Sequence, residues 1–147
     1  MIVAFENEIK RIADDIGIEY QTKRMVNLED FIQNFALDVP LMNSVPITNY
    51  TSSIDISGAM IYTGEFKLQF ITKYVKSDDY EATKNILIDD MISAAELFFR
   101  RLNQNDMLLF GNVPFSMRNE IIRNYTSNAC VCVQCNISFN TACNRIN

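Results

Sequence analysis

A chain of 147 residues that is 48% hydrophobic, with a mean hydropathy near zero, is long enough for one domain with its own core and too apolar for a disordered tail. It contains no histidine, which removes the side chain most used as a general base and as a metal ligand. Its net charge of −5 is spread unevenly, with 4 basic and 5 acidic residues in 1–26, 4 and 11 in 27–99, and 5 and 2 in 100–147; an acidic body without a basic stripe argues against binding nucleic acid through its phosphates.

Ile2, Phe5, Ile9, Ile12 and Ile16 recur at helical spacing and predict an amphipathic helix that Gly17 stops. Charges run through residues 1–18 and no apolar run nears the roughly 18 residues of a membrane span, so neither a signal peptide nor a transmembrane helix is expected. A reducing cytoplasm follows as the expected place of synthesis. Residues 18–25 predict a short, partly polar edge strand. Asn27-Leu28-Glu29-Asp30 has the composition of a cap opening one helical turn through Phe31 and Ile32. Residues 36–44 alternate weakly and contain Pro40, which assigns them to an edge or a bulge. Pro46, Asn49 and the Thr51-Ser52-Ser53 cluster mark a loop. Residues 54–59 fit two readings: a strand that turns at Ser57-Gly58, or one that runs on, with Gly58 and Gly64 as bulges.

The chain is organised around the stretch from Met60 to Leu102. In MIYTGEFKLQFITKYV the even positions from Met60 to Tyr74 are mostly apolar. The odd ones include Thr63, Glu65, Lys67, Gln69 and Lys73. Side chains of a strand alternate faces, so this is a half-buried strand. After it Asp78, with Glu81 three residues on, forms a capping box. The helix that follows carries Leu87, Ile88, Met91, Ile92, Ala95, Phe98, Phe99 and Leu102 on one stripe. Arg100 and Arg101 suit its negative end. Beyond a turn at Asn103-Gln104-Asn105-Asp106, residues 107–110 read as a short strand and residues 116–125 as a helical turn anchored by Ile121 and Ile122. Residues 129–139 alternate again. Val131, Val133, Cys135, Ile137 and Phe139 share one face, and Cys130, Cys132, Gln134, Asn136 and Ser138 share the other.

No linker, repeat or low-complexity tract interrupts the chain, so residues 1–147 are expected to form one domain. The elements predict an α+β two-layer sandwich. An antiparallel sheet of four to five strands would carry two helices, at about 2–16 and 79–102, on one face. The other face would present Glu65, Lys67, Gln69, Gln134, Asn136 and Ser138, polar but not strongly charged. That suits water or a neighbouring subunit.

Few constellations offer chemistry. Cys130, Cys132, Cys135 and Cys143 are enough thiols for a tetrahedral zinc site. Their C-x-C-x-x-C-x7-C spacing is not two C-x-x-C knuckles, however, and a strand would turn Cys130 and Cys132 away from Cys135. Small apolar side chains in a reducing cell are the better reading. Asp14-Asp15, Asp78-Asp79 and Asp89-Asp90 read as helix-starting and solvating carboxylates, since adjacent helical positions diverge by about 100°. There is no nucleophile elbow and no glycine-rich phosphate loop. No enzyme activity and no cofactor are expected. Tyr50, Tyr62, Tyr74, Tyr80 and Tyr125 suit either core or subunit interfaces, where a wet hydroxyl is at home.

FENEIKRIADDIGI, then Phe35-Ala36-Leu37-Asp38-Val39-Pro40-Leu41, then GEFKLQFITKYVKSDDYEATKNILIDDMISAAELFFRRL, then RNYTSNACVCVQCNISF give an order of elements. In that order the chain resembles tail-terminator or neck-type proteins of tailed bacteriophages, particularly the small tail-completion proteins of Bacteroidetes phages and prophages. Ala129 departs from the glycine usual before the family's closing strand. The resemblance implies a structural protein of the virion, assembled in the host cytoplasm. Copies would form a ring at the neck or tail top that caps the tail tube or joins tail to head. Its partners would be copies of itself and other neck, portal or tail proteins, with no membrane, and with DNA only passing through the lumen. No catalytic residue is carried over. The ring would close through heterologous sheet and loop contacts. Residues 48–58 and 60–74 are the parts expected to reach a neighbour, with Tyr50, Ile54, Ile56, Tyr62, Glu65, Lys67 and Gln69 as interface candidates. Two other readings stay open: a small non-catalytic adaptor or binding module, and a metal-binding domain built on the four cysteines.

Overall fold

The computed structural model describes residues 2–21, 41–73, 80–103, 117–125 and 130–142. In chain order these form α1 (Ile2–Asp15), β1 (Glu19–Gln21), β2 (Leu41–Val45), β3 (Thr51–Ile54), β4 (Met60–Lys73), α2 (Tyr80–Asn103), β5 (Met117–Tyr125) and β6 (Cys130–Ala142). The turn expected at residues 27–32, the strand at 107–110, Asp78 of the capping box, Tyr74 and Cys143 lie outside the described residues.

Gly17 ends α1 at φ +75°. Its N–H donates to the Asp14 carbonyl and that of Ile18 donates to the Ala13 carbonyl, both at 3.1 Å. Together they form the paired hydrogen bonds of a Schellman stop, which a left-handed residue makes possible. Ile9, Ile12 and Ala13 are buried, and Arg11 bridges Glu8 and Asp15 on the solvent side. α2 buries Ile88, Met91, Ala95, Phe98, Phe99 and Leu102, much of the expected stripe, and leaves Asp89 and Asp90 exposed.

The strands form one open sheet in the order β1-β2-β4-β6-β5, with β3 also pairing β4. Every pair is antiparallel except β1–β2, which is parallel. An α+β two-layer arrangement is therefore present, with six strands and one parallel pair where four or five antiparallel strands were expected. β1 is an edge. β2, read as an edge because of Pro40, lies between β1 and β4. Two segments expected to be irregular or helical are strands. Thr51-Ser52-Ser53 belongs to β3, and residues 117–125 form β5, whose pairing with β6 overrides a local pattern that fits a helix equally well. Gly58 sits at φ +84° in the β3–β4 turn. Gly64 makes no bulge, because the register between β4 and β6 is continuous from Ile61 to Lys73.

Both helices pack on one face. Phe66, Leu68 and Phe70 of β4, Met42 of β2, and Val133, Cys135 and Ile137 of β6 join Ile9, Ile12, Met91, Phe98 and Leu102 in the main core. Each such side chain contributes about 1.5–3 kcal/mol of burial. The face away from the helices is not uniformly polar. Leu41, Ile71, Cys130 and Cys132 form a second buried cluster there, with Ile122 against it. Lys73, expected on the wettable row, is buried beside them in register with Cys130.

Candidate assembly surface

Read across the strands, the far face is a series of rows. Leu41, Ile71, Cys132 and Ile122 make an apolar row. Asn43, Gln69, Gln134 and Glu120 make the next, and Val45, Lys67, Asn136 and Arg118 the one after. Glu65 and Ser138 follow. The second row is a ladder of amides. Asn43 Nδ2 donates to Gln69 Oε1 at 2.9 Å, and Gln69 Nε2 donates to Gln134 Oε1 at 3.1 Å. Asn43 and Gln69 are fully buried, so each bond keeps a desolvated polar group satisfied. Gln69 therefore cannot reach a neighbouring molecule. Its even-odd parity put it on the correct face, but the ladder buries it.

Beyond the ladder the face opens into a groove of about 680 Å³. Residues 45–51 form one wall, Glu65 and Lys67 the floor, and Arg118, Glu120, Gln134 and Asn136 the opposite side. No salt bridge joins these two cations and two carboxylates among the described residues. Ser138 Oγ donates weakly to Glu65 Oε1 at 3.5 Å. Nothing in the sequence pattern brings Arg118 and Glu120 here, because that requires β5 to be a strand.

The wall leads into a hairpin. Glu6 of α1 accepts a hydrogen bond from the Ile47 N–H at 3.0 Å, tying the hairpin's base to the helix layer. Tyr50 and Tyr62 rings meet with centroids 5.8 Å apart. Asp55 builds the tip: its Oδ1 accepts from the Ser57 N–H at 2.8 Å, the Ser57 hydroxyl at 2.6 Å and the Ala59 N–H at 3.0 Å. These bonds, led by the Ser57 hydroxyl, hold the Asp55 carboxyl below its ordinary range. Asp-x-Ser-Gly is the composition of an Asx turn, so this role had a local signal, whereas the amide ladder had none.

On this rigid tip the structure exposes Ile54 at 69% and Ile56 fully. Tyr50 is exposed at 54%, Glu65 is exposed, and Tyr62 and Lys67 are half-buried. Tyr62 points to the helix face and packs against the main core. The seven expected interface residues thus divide: Tyr50, Ile54, Ile56 and Glu65 are exposed, Tyr62 and Lys67 are partly covered, and Gln69 is buried.

The cysteines divide between faces. Cys135 lies in the helix-side core, Cys130 and Cys132 in the second cluster, and all three are free thiols. One ion cannot be reached by all of them. Burial pushes the Cys132 thiol up strongly and that of Cys135 to about 12, which keeps both protonated and unreactive. No group of three or more histidine, cysteine or acidic side chains suited to a metal occurs among the described residues. No described helix is long and apolar enough to cross a membrane.

No protein-family model matches the chain, and no curated protein matches it.

Proposed function

We propose that this chain is a structural assembly protein that builds a ring of its own copies, in the manner of the tail-terminator and tail-completion proteins it resembles. The ring would sit at a phage neck or tail top, with flanking virion proteins as further partners. The observation that carries this reading is the projecting hairpin. Exposed isoleucines on an ordered, side-chain-pinned turn are a surface shaped before any partner arrives, which lowers the ordering cost of association. Ile54 and Ile56 bring exposed apolar surface together at one tip, where a partner could cover both at once. The chain's role is then one of shape, with no reaction assigned to it and no cofactor.

Electron microscopy of the purified protein tests the proposal. Closed rings with a central channel support it. A monomer that persists at high concentration contradicts it and favours the adaptor reading, in which the charged groove beside the hairpin would receive a partner.

A further inference from the structure

β4 is longer than its neighbours, and its first half carries a strand on each side. Among the described residues β3 bonds only β4, and β5 reaches no further along β6 than Ile137. The outer edge of β3 and the outer edge of residues 138–142 therefore have no strand neighbour among the described residues. Among the described residues the result is a three-stranded arm, β3-β4-β6, with two edges that no strand covers. The edge sequences are TSSI and SFNTA, and neither holds a charge or a proline. Those are the devices that ordinarily blunt an exposed edge. Every residue of β3 is exposed.

The hydrogen-bond phase of β3 is fixed by its turn. The Asp55 N–H donates to the Ala59 carbonyl at 3.0 Å, and the register runs on without a break. Bonded pairs alternate in an antiparallel ladder. Thr51 and Ser53 thus bond to β4, while Ser52 and Ile54 turn their N–H and C=O groups outward.

Strand direction then limits what kind of copy fits. β3 and β6 both run antiparallel to β4, so they are parallel to each other. Around a cyclic axis successive arms keep these directions, and β3 of one copy meets β6 of the next as a parallel pair. A two-fold axis would instead set β3 against β3 and leave both β6 edges open. Only the head-to-tail arrangement satisfies both edges of every copy, and it closes when the rotation divides the circle.

We infer that β3 of one copy adds in parallel to residues 138–142 of the next, making the sheet continuous from subunit to subunit. This deepens the ring reading and rests on it. Thr51 and Asn140 lie at one height across the arm, as do Ser52 and Thr141. The tip carrying Ile54 and Ile56 is thereby delivered onto the neighbour.

Cysteine cross-linking tests the inference in the full chain with Cys143→Ser as background. Ser52→Cys protein is mixed with protein carrying one cysteine at position 140, 141 or 142, then oxidised. Linked dimers are expected in at least one mixture and in neither component alone, and chains carrying both cysteines should link into ladders of multimers. Cross-linking of Ser52→Cys protein with itself would establish two-fold pairing and overturn the inference. The absence of linkage in all three mixtures would overturn it as well. A second variant, Ser52→Pro, removes one outward N–H and none of the bonds to β4. It should keep the wild-type circular dichroism spectrum but sediment as a monomer; assembly like wild type contradicts the inference. Rings seen by microscopy without these cross-links defeat the inference alone, whereas a monomeric wild type defeats the ring reading with it.

Discussion

The two halves of β4 differ little in composition and greatly in surroundings. From Leu68 to Lys73 every residue is buried, beneath the helices on one face and within the second apolar cluster and amide ladder on the other. From Met60 to Glu65 none is. Alternation alone assigns faces along a strand, but not how far the covering layer extends. The closed half is a domain core, and the open half is the surface that the proposed assembly would use. The stability of this protein should therefore reside in the first and its association in the second.

The largest effect on stability should come from Phe98→Ala. Phe98 is fully buried between Phe70 and Phe99, with ring centroids 6.1 and 5.4 Å away. The lost packing and the cavity should cost about 3–5 kcal/mol in denaturant unfolding. Gln69→Ala follows at about 1–3 kcal/mol, because it removes both side-chain hydrogen bonds of the buried ladder. Combined with Asn43→Ala it should cost less than the two changes summed; strict additivity would mean the ladder is not a unit.

Thr72→Val should act in the opposite direction. The Thr72 hydroxyl is buried with no hydrogen-bond partner among the described residues, and an apolar group of the same shape removes that penalty, raising stability by about 1 kcal/mol. The buried thiols set a pH-dependent term that is felt only in alkaline solution. Their pKa values are raised on folding, so the unfolded chain gives up these protons first. The stability they contribute is whole below the free-thiol range near 9 and is lost as pH rises toward 12 for Cys135. Melting temperature measured across that interval should fall, and replacing Cys135 with alanine should flatten the decline.

Much of the closed half was legible in the chain. Apolar spacing at Ile9, Ile12, Met91, Phe98 and Leu102 reports a helix stripe whatever lies opposite, and Gly17 announces its own stop. The parity of residues 60–73 and 130–138 likewise placed each side chain on its correct face. What was not legible depends on pairing between distant segments. β5 became a strand because β6 offered an edge, and Thr51-Ser52-Ser53 did so because β4 did. Both look irregular or helical alone. Gln69 reads as solvent-facing until Asn43 and Gln134 are set beside it across two strand registers. Tyr50, Ile54 and Ile56, expected at a subunit contact, are exposed on the hairpin, while Arg118 and Glu120 of the neighbouring groove had no signal in the chain.

The division between a stable body and an associating arm is tested most directly by native mass spectrometry of wild type beside Ile54→Asp/Ile56→Asp. Both positions are exposed, so the double variant should lose no more than about 0.5 kcal/mol of the single chain's own folding stability. The wild-type protein should appear as one closed multiple of the 16.9 kDa chain, and the variant as the single chain. Identical masses for the two proteins would contradict the account.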